Sequence, residues 1–273
     1  MTEAEIIANT PKPRTRHSLA HDLRDLGVKS GMTLLVHSSL SSLGWVNGGP
    51  VAVIQAILDV LTPRGTLIMP THSGDLSDPA IWENPPVPES WWPLIRETMP
   101  AYDPATTQTR GMGRIPESFR TMPNVLRSSH PAMSFAAIGA SADVVTSTHA
   151  LDFPLGEESP LAQICNLNGW VLLLGVGFDN NTSFHLSEYR IPDQPLEQLG
   201  APLFVKGKHT WKTYRDIKLN PDPFTQIGEA FETKKDLFKG KVGSATCRLF
   251  RQRAAVDFAV EWLRSRAATS TPA

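Results

Sequence analysis

The stretch GFDNNTSFHLSEYR, residues 177–190, places a histidine and a glutamate three residues apart, His185 and Glu188. On a helix that spacing puts both side chains on one face. A carboxylate that accepts a hydrogen bond from one imidazole nitrogen fixes the tautomer and leaves the other nitrogen as a base. The chemistry this suits is removal of a proton from an attacking group. The same spacing also suits a histidine that caps a loop, with Glu188 on a solvated face, and spacing alone leaves both open.

Two further stretches have chemically useful residue types. HSSLSSLGWVNGG, residues 37–49, runs from the end of an apolar segment to the start of a helical one. Its hydroxyls and free backbone N–H groups suit an anion, and a helix start favours negative charge. It matches neither a P-loop nor a dinucleotide fingerprint, so a plain connecting loop is the competing reading. The loop after residue 72 holds Asp75, Asp78, Glu83 and Glu89. Such a cluster can recruit a polycation, or simply be solvated. Trp82, Trp91 and Trp92 read as packing anchors. His72, His130 and His149 show no metal-ligand spacing, and no metal is expected. His130, before Pro131, reads as structural, and Cys165, inside an apolar helical run, as core.

The elements that must position these residues follow from periodicity. HSLAHDLRDLGV has Leu19, Leu23 and Leu26 at helical spacing and Gly27 as a stop. MTLLVH reads as a buried strand, PVAVIQAILDVLTPRG as a helix with Pro50 in its first turn, and TLIMP as a second strand. Strand, crossover helix and strand form a βαβ unit, which implies a parallel sheet covered by helices. WWPLIRETMP and GRIPESFRTMP read as short helices, and NVLRSSHPAMSFAAIG as one or two strands. SADVVTSTHAL and SPLAQICNLNG read as helices, WVLLLGVG as a buried strand, and LFVKGKHTWKTYRDI as a hairpin. DPFTQIGEAFETKK reads as a helix, and VGSATCRLFRQRAAVDFAVEWLRSR as a strand followed by a helix. In a parallel sheet, ligands sit at the carboxyl ends of strands. WVLLLGV therefore delivers Asp179 and His185 to that edge.

Bulk properties narrow the class. The chain has 273 residues, 41% hydrophobic and 19% charged, enough for a sizeable core. The formal net charge of -1 gives no reason to expect nucleic acid or an anionic membrane as partner. No apolar run suits a membrane helix, and the N-terminus lacks the order of a signal peptide. Cys165 and Cys247 lie far apart, which suits reduced thiols and a cytoplasmic location. One domain over residues 1–273 is expected, with about the first 16 and last 7 residues frayed.

The spaced set VHSSLSSLGWVNGGP, GTLIMPTHS, GRIPESFR, RSSHPAMSFAAIG, NTSFHLSEYR, IGEAFE and GKVGSATCRLF, in that order, closely resembles the aminoglycoside 3-N-acetyltransferase family. The resemblance covers roughly residues 17–265. It implies an α/β/α sandwich with a mostly parallel sheet and a small antiparallel annex, distinct from the GCN5-related acetyltransferases. It implies acetyl-CoA as co-substrate, the 3-amino group of a 2-deoxystreptamine aminoglycoside as acceptor, and a role in antibiotic resistance. Position by position, it makes His185 the catalytic base and Glu188 its carboxylate. Asp179 faces the aminoglycoside, with Asp75 and Asp78 in a loop able to close over it. Ser38, Ser39, Leu40, Ser41 and Gly44 contact the cofactor, and Thr71, His72, Met112, Gly113 and Ser134 are further cofactor-side positions. Monomer and homodimer are both compatible. The hairpin residues Lys206, Lys208, Lys212 and Arg215 either repel a polycation or hold CoA phosphates. Three alternatives remain: the same transfer to another amine, such as an amino sugar or a nucleotide-linked amine, a metal-dependent hydrolase, and a non-catalytic CoA-binding protein.

Overall fold

The computed structural model describes residues 2–234 and 237–269. The chain opens with helix α1 (Glu3–Ala8) and helix α2 (Arg16–Leu26), then strand β1 (Thr33–Ser38), helix α3 (Gly49–Leu61) and strand β2 (Thr66–Pro70). Short helices α4 (Trp92–Thr98) and α5 (Arg114–Arg120) precede strands β3 (Leu126–Arg127) and β4 (Phe135–Gly139). Helices α6 (Ala142–Ser147) and α7 (Pro160–Asn166) lead to strand β5 (Trp170–Leu174) and helix α8 (Ser183–Tyr189). A hairpin of β6 (Leu196–Val205) and β7 (Lys208–Ile217) follows, then α9 (Phe224–Glu232), β8 (Leu237–Val242), β9 (Ala245–Arg251) and α10 (Gln252–Thr269).

Seven strands form the main sheet in the order β3-β4-β2-β1-β5-β9-β8. The parallel part is its centre: β1 pairs parallel with β2 on one side and β5 on the other. Both flanks are antiparallel, β4 on β2 and β9 on β5, so the sheet is mixed and holds more antiparallel pairing than the sequence suggested. The hairpin β6–β7 is a separate two-stranded sheet, the expected annex. It begins at Leu196, several residues before the alternation read from the sequence.

Strand alternation sends successive side chains to opposite faces. Leu34 and Val36 of β1 pack on α2 and α3, together with Leu172 and Leu174 of β5. Leu35 packs on the other face with Val171, Leu173, Ile164 of α7 and Val256 of α10. Because both faces are buried, the central strands read as continuous apolar runs. The result is the α/β/α layering.

The expected fraying of the first 16 residues is not what forms. Thr2 and Glu5 make a capping box on α1, and Arg14 donates its N–H to Trp45 O at 2.9 Å while Asn47 N–H donates to Arg14 O at 2.8 Å. Short-range capping and these backbone bonds hold a segment with little apolar content. At the other end α10 runs to Thr269, and the last four residues of the tail expected to fray lie outside the described residues.

Candidate active site

The carboxyl ends of β1 and β5 meet at one edge of the sheet, and the candidate residues collect there. β5 is followed by Gly175, whose φ of +75° suits glycine. A Cβ there would lie 2.8 Å from the Ser42 side chain and 3.0 Å from Ala245, so the turn also needs glycine for close packing. After this turn Asn181 Oδ1 accepts from Ser183 N–H at 3.3 Å, and α8 begins. His185 and Glu188 therefore share the cavity-facing side of a short helix whose other face is core.

The two side chains meet, with His185 Nδ1 and Glu188 Oε2 2.5 Å apart. Glu188 Oε1 accepts the backbone N–H of Asn220 at 2.7 Å. Both carboxylate oxygens are thus engaged, and Glu188 is 6% exposed. The Phe224 ring lies against the imidazole, centroids 4.7 Å apart at 62°. Held by Glu188 and Phe224, His185 has Nδ1 committed and directs Nε2 away from its partner.

A cavity of about 220 Å³ opens on His185, lined also by His37, Ser38, Met112, Asp179, Thr182 and Phe224. It adjoins a groove of about 850 Å³ that runs past the serine loop. Ser38, Ser39, Leu40, Ser41, Gly44, Met112 and Gly113 line that groove, as do Gly48 and Gly49 at the start of α3. The loop is shaped by its own hydroxyls: Ser42 Oγ donates to Ser39 Oγ at 2.8 Å, and Ser39 N–H donates to Leu174 O at 3.0 Å. Glu3 and Ile6 of α1 form part of the outer wall.

Other expected site residues lie elsewhere. Thr71 and Ser134 are fully buried and line neither space. Arg127 donates from Nε to Ser134 Oγ at 3.0 Å and from Nη2 to Thr71 O at 2.7 Å. They are struts, because a half-buried guanidinium needs protein acceptors. His72 lies near His185 but also lines neither space; burial pushes its imidazole down to about 3. Asp75 meets Arg110 at 2.5 Å and Asp78 meets Arg96 at 2.7 Å, so each has its own cation and neither reaches the cavity wall. Asp179, exposed at the cavity mouth, accepts from Asn180 Nδ2 at 2.9 Å. His130 does not offer a metal lone pair, since its Nδ1 accepts the N–H groups of Ala132 and Met133 at 3.2 and 3.0 Å.

Sequence reasoning missed His37, Phe224 and Asn220. His37 ends β1 inside the cavity at 5% exposure, and its Nε2 has no partner among the described residues. Burial pushes its imidazole down to about 3, so it is neutral at working pH. Its signal was present, a polar residue at the carboxyl end of an apolar strand. Phe224 and Asn220 gave no local signal.

A histidine paired with a carboxylate, at the junction of a small polar cavity and a long groove lined by backbone and hydroxyls, suits transfer from a long carrier to a nucleophile. The family model described as aminoglycoside 3-N-acetyltransferase matches residues 35–264. The chain belongs to the aminoglycoside 3-N-acetyltransferase family. The SPbeta prophage-derived aminoglycoside N(3')-acetyltransferase-like protein YokD of Bacillus subtilis (strain 168) is 53% identical, over 94% of this chain and 95% of that protein. A crystal structure of YokD superposes with a TM-score of 0.97, covering 98% of this chain and 100% of that one, at 51% identity. The structure described as AAC-IIIb binary with CoASH is 33% identical, with a TM-score of 0.84 over 96% of this chain and 100% of that one. AAC-VIa bound to sisomicin is 30% identical, with a TM-score of 0.84 over 93% of this chain and 99% of that one. Members of this aminoglycoside 3-N-acetyltransferase family are acyltransferases, and this chain is one of them.

Proposed function

We propose that the protein transfers the acetyl group of acetyl-CoA to a primary amine, with the 3-amino group of a 2-deoxystreptamine aminoglycoside as acceptor and antibiotic resistance as the consequence. The observation that carries this is the His185–Glu188 pair, which opens on the cavity that adjoins the groove. Acetyl-CoA lies in the groove, where Ser38–Gly44 and the start of α3 offer hydroxyls, N–H groups and a favourable dipole. The amine enters the inner cavity past Asp179. A protonated amine has no lone pair to donate, so the acceptor reacts as the neutral amine, its first proton gone to solvent, and His185 Nε2 takes a second proton as the nitrogen attacks the thioester carbonyl. Glu188 favours the imidazolium that forms. The tetrahedral intermediate then expels the thiolate, which takes the proton from Nε2. No protein nucleophile is required. The cytoplasm, where acetyl-CoA is available, is the location that fits.

A smaller amine as acceptor is the second reading, and a specific observation favours it. Asp179 is the one carboxylate among the described residues lining the inner cavity. An aminoglycoside has several ammonium groups to offset. The experiment is thiol release from acetyl-CoA against a panel of aminoglycosides, an amino sugar and a nucleotide-linked amine. Turnover with an aminoglycoside supports the first reading. Turnover only with a small amine moves the acceptor to the second, and no turnover with any amine removes both.

A further inference from the structure

Resting on the acetyl-transfer reading, the oxyanion of the reaction also finds a partner in this fold. The inner cavity and the outer groove share four lining residues: Ser38, Gly111, Met112 and Asn180. The acetyl carbon must sit between them, since the carrier occupies the groove and the amine the cavity. This throat is where negative charge develops on the carbonyl oxygen. A donor placed there strengthens in the transition state, because the oxygen gains charge as the nitrogen bonds to carbon.

The side chains at the throat differ in what they can offer. Met112 has no donor. Asn180 spends an Nδ2 proton on Asp179 Oδ2, 2.9 Å away. The Ser38 hydroxyl is buried and has no hydrogen-bond partner among the described residues. Its neighbours in the loop are different, because Ser39, Ser41 and Ser42 bond one another. A buried hydroxyl without a partner is disfavoured, and such groups in native proteins usually await a ligand or water. Rotation about χ1 between staggered wells is the motion that redirects it. The strand fixes the backbone beneath, as Ser38 is paired in register with Leu174 of β5.

We infer that Ser38 is a catalytic residue whose hydroxyl donates to the thioester oxygen and stabilises the oxyanion. The amine nitrogen bonds to the carbonyl carbon, and the C=O pair moves to oxygen, where Ser38 Oγ–H holds it. As that pair returns, the C–S bond breaks and its electrons leave on sulfur. His185 has received the amine proton and delivers it to the thiolate. Ser38 keeps its own proton throughout.

The test is steady-state kinetics on Ser38→Ala and Ser38→Thr beside wild type, with acetyl-CoA affinity measured by calorimetry and folding checked by thermal melting. Removing an oxyanion donor typically lowers kcat by ~10²–10³-fold. Ser38→Ala should show that loss with acetyl-CoA affinity changed far less than kcat, and Ser38→Thr should recover part of it. Turnover close to wild type in Ser38→Ala overturns the inference and passes the role to Gly111 or Met112 N–H or to Thr182. A fall in affinity with kcat preserved makes Ser38 a binding residue only, which also overturns it. Wild type inactive with every amine counts against the transferase reading instead. Ser38 is then judged by the ¹³C resonance of bound [1-¹³C]acetyl-CoA. A downfield displacement present in wild type and lost in Ser38→Ala supports the donor, and the same resonance in both overturns it.

Discussion

His185 and Glu188 stand one turn apart on α8 with Nδ1 and Oε2 at 2.5 Å, and the second carboxylate oxygen is held by Asn220 N–H. The pair is thus anchored from two parts of the chain, the helix and the segment that leads into α9. Replacing His185 by Ala removes the proposed base, which is not among the residues that line the groove. General bases contribute ~10²–10⁴-fold, so kcat should fall by at least ~10²-fold with acetyl-CoA binding intact. Stopped-time thiol release and calorimetry check both halves.

Glu188→Gln keeps the shape of the hydrogen bonds and removes the charge that favours the imidazolium. The loss in kcat should be smaller than for His185→Ala, because the base itself remains. Equal losses in the two variants would mean that Glu188 does more than orient and stabilise the ring.

Asp179 should separate from the other two acids in the acidic loop. Asp179→Asn should raise KM for a polycationic acceptor and leave KM for acetyl-CoA unchanged. Asp75→Asn and Asp78→Asn should leave acceptor KM unchanged, since those carboxylates are engaged by Arg110 and Arg96. KM for the acceptor should also rise with salt, because exposed charges are screened over about 8–10 Å near physiological ionic strength. Steady-state kinetics at two salt concentrations test all of this.

Acid should unfold the protein early. His37, His72, His130 and His149 are held neutral by burial, pushed down to about 3, about 3, about 3 and about 4. His130 and His149 stack at 5.0 Å, beside Tyr214 and Phe135. The unfolded chain binds these protons near pH 6.5 and the folded chain does not, so stability is complete above that pH and falls as pH drops towards 4. At pH 5 each such histidine costs about 2 kcal/mol. Asp216 opposes this: burial pushes it up to about 6, so its contribution is present at low pH and lost as pH rises through 6. One carboxyl against four imidazoles leaves a net loss in acid. Urea midpoints at pH 7.5 and pH 5 should show a clear drop, reduced in His149→Gln.

Gly228 links packing to the site. A Cβ there would lie 2.0 Å from the Phe178 ring, and α9 also holds Phe224 against His185. Overpacking of this kind costs ~1–3 kcal/mol. Gly228→Ala should therefore lower the melting temperature and also reduce kcat by moving Phe224. A thermal melt and a kinetic assay on the same sample check the pairing of effects.

The sequence by itself determined the local elements and the helical face that His185 and Glu188 share. It also held the ordered motifs of the family. These are properties of neighbouring residues: a period of 3.6 or 2, a glycine stop after Leu26, a proline at a helix start. The serine loop was legible because it joins a strand end to a helix start. Tertiary structure decided which polar groups are free. Asp75 and Asp78 look like a binding pair in sequence, yet arginines 35 and 18 residues away engage them. Thr71 and Ser134 look like cleft residues, yet both are buried and engaged by Arg127. His37 looks ordinary and Ser38 is one serine of a cofactor-facing loop, and they matter because no described residue satisfies their Nε2 and Oγ. The antiparallel flanks β8 and β9 and the docked α1 were decided the same way. Periodicity is written in a few adjacent residues, whereas the partner of a charge or a hydroxyl is chosen by distant chain segments that meet only after folding.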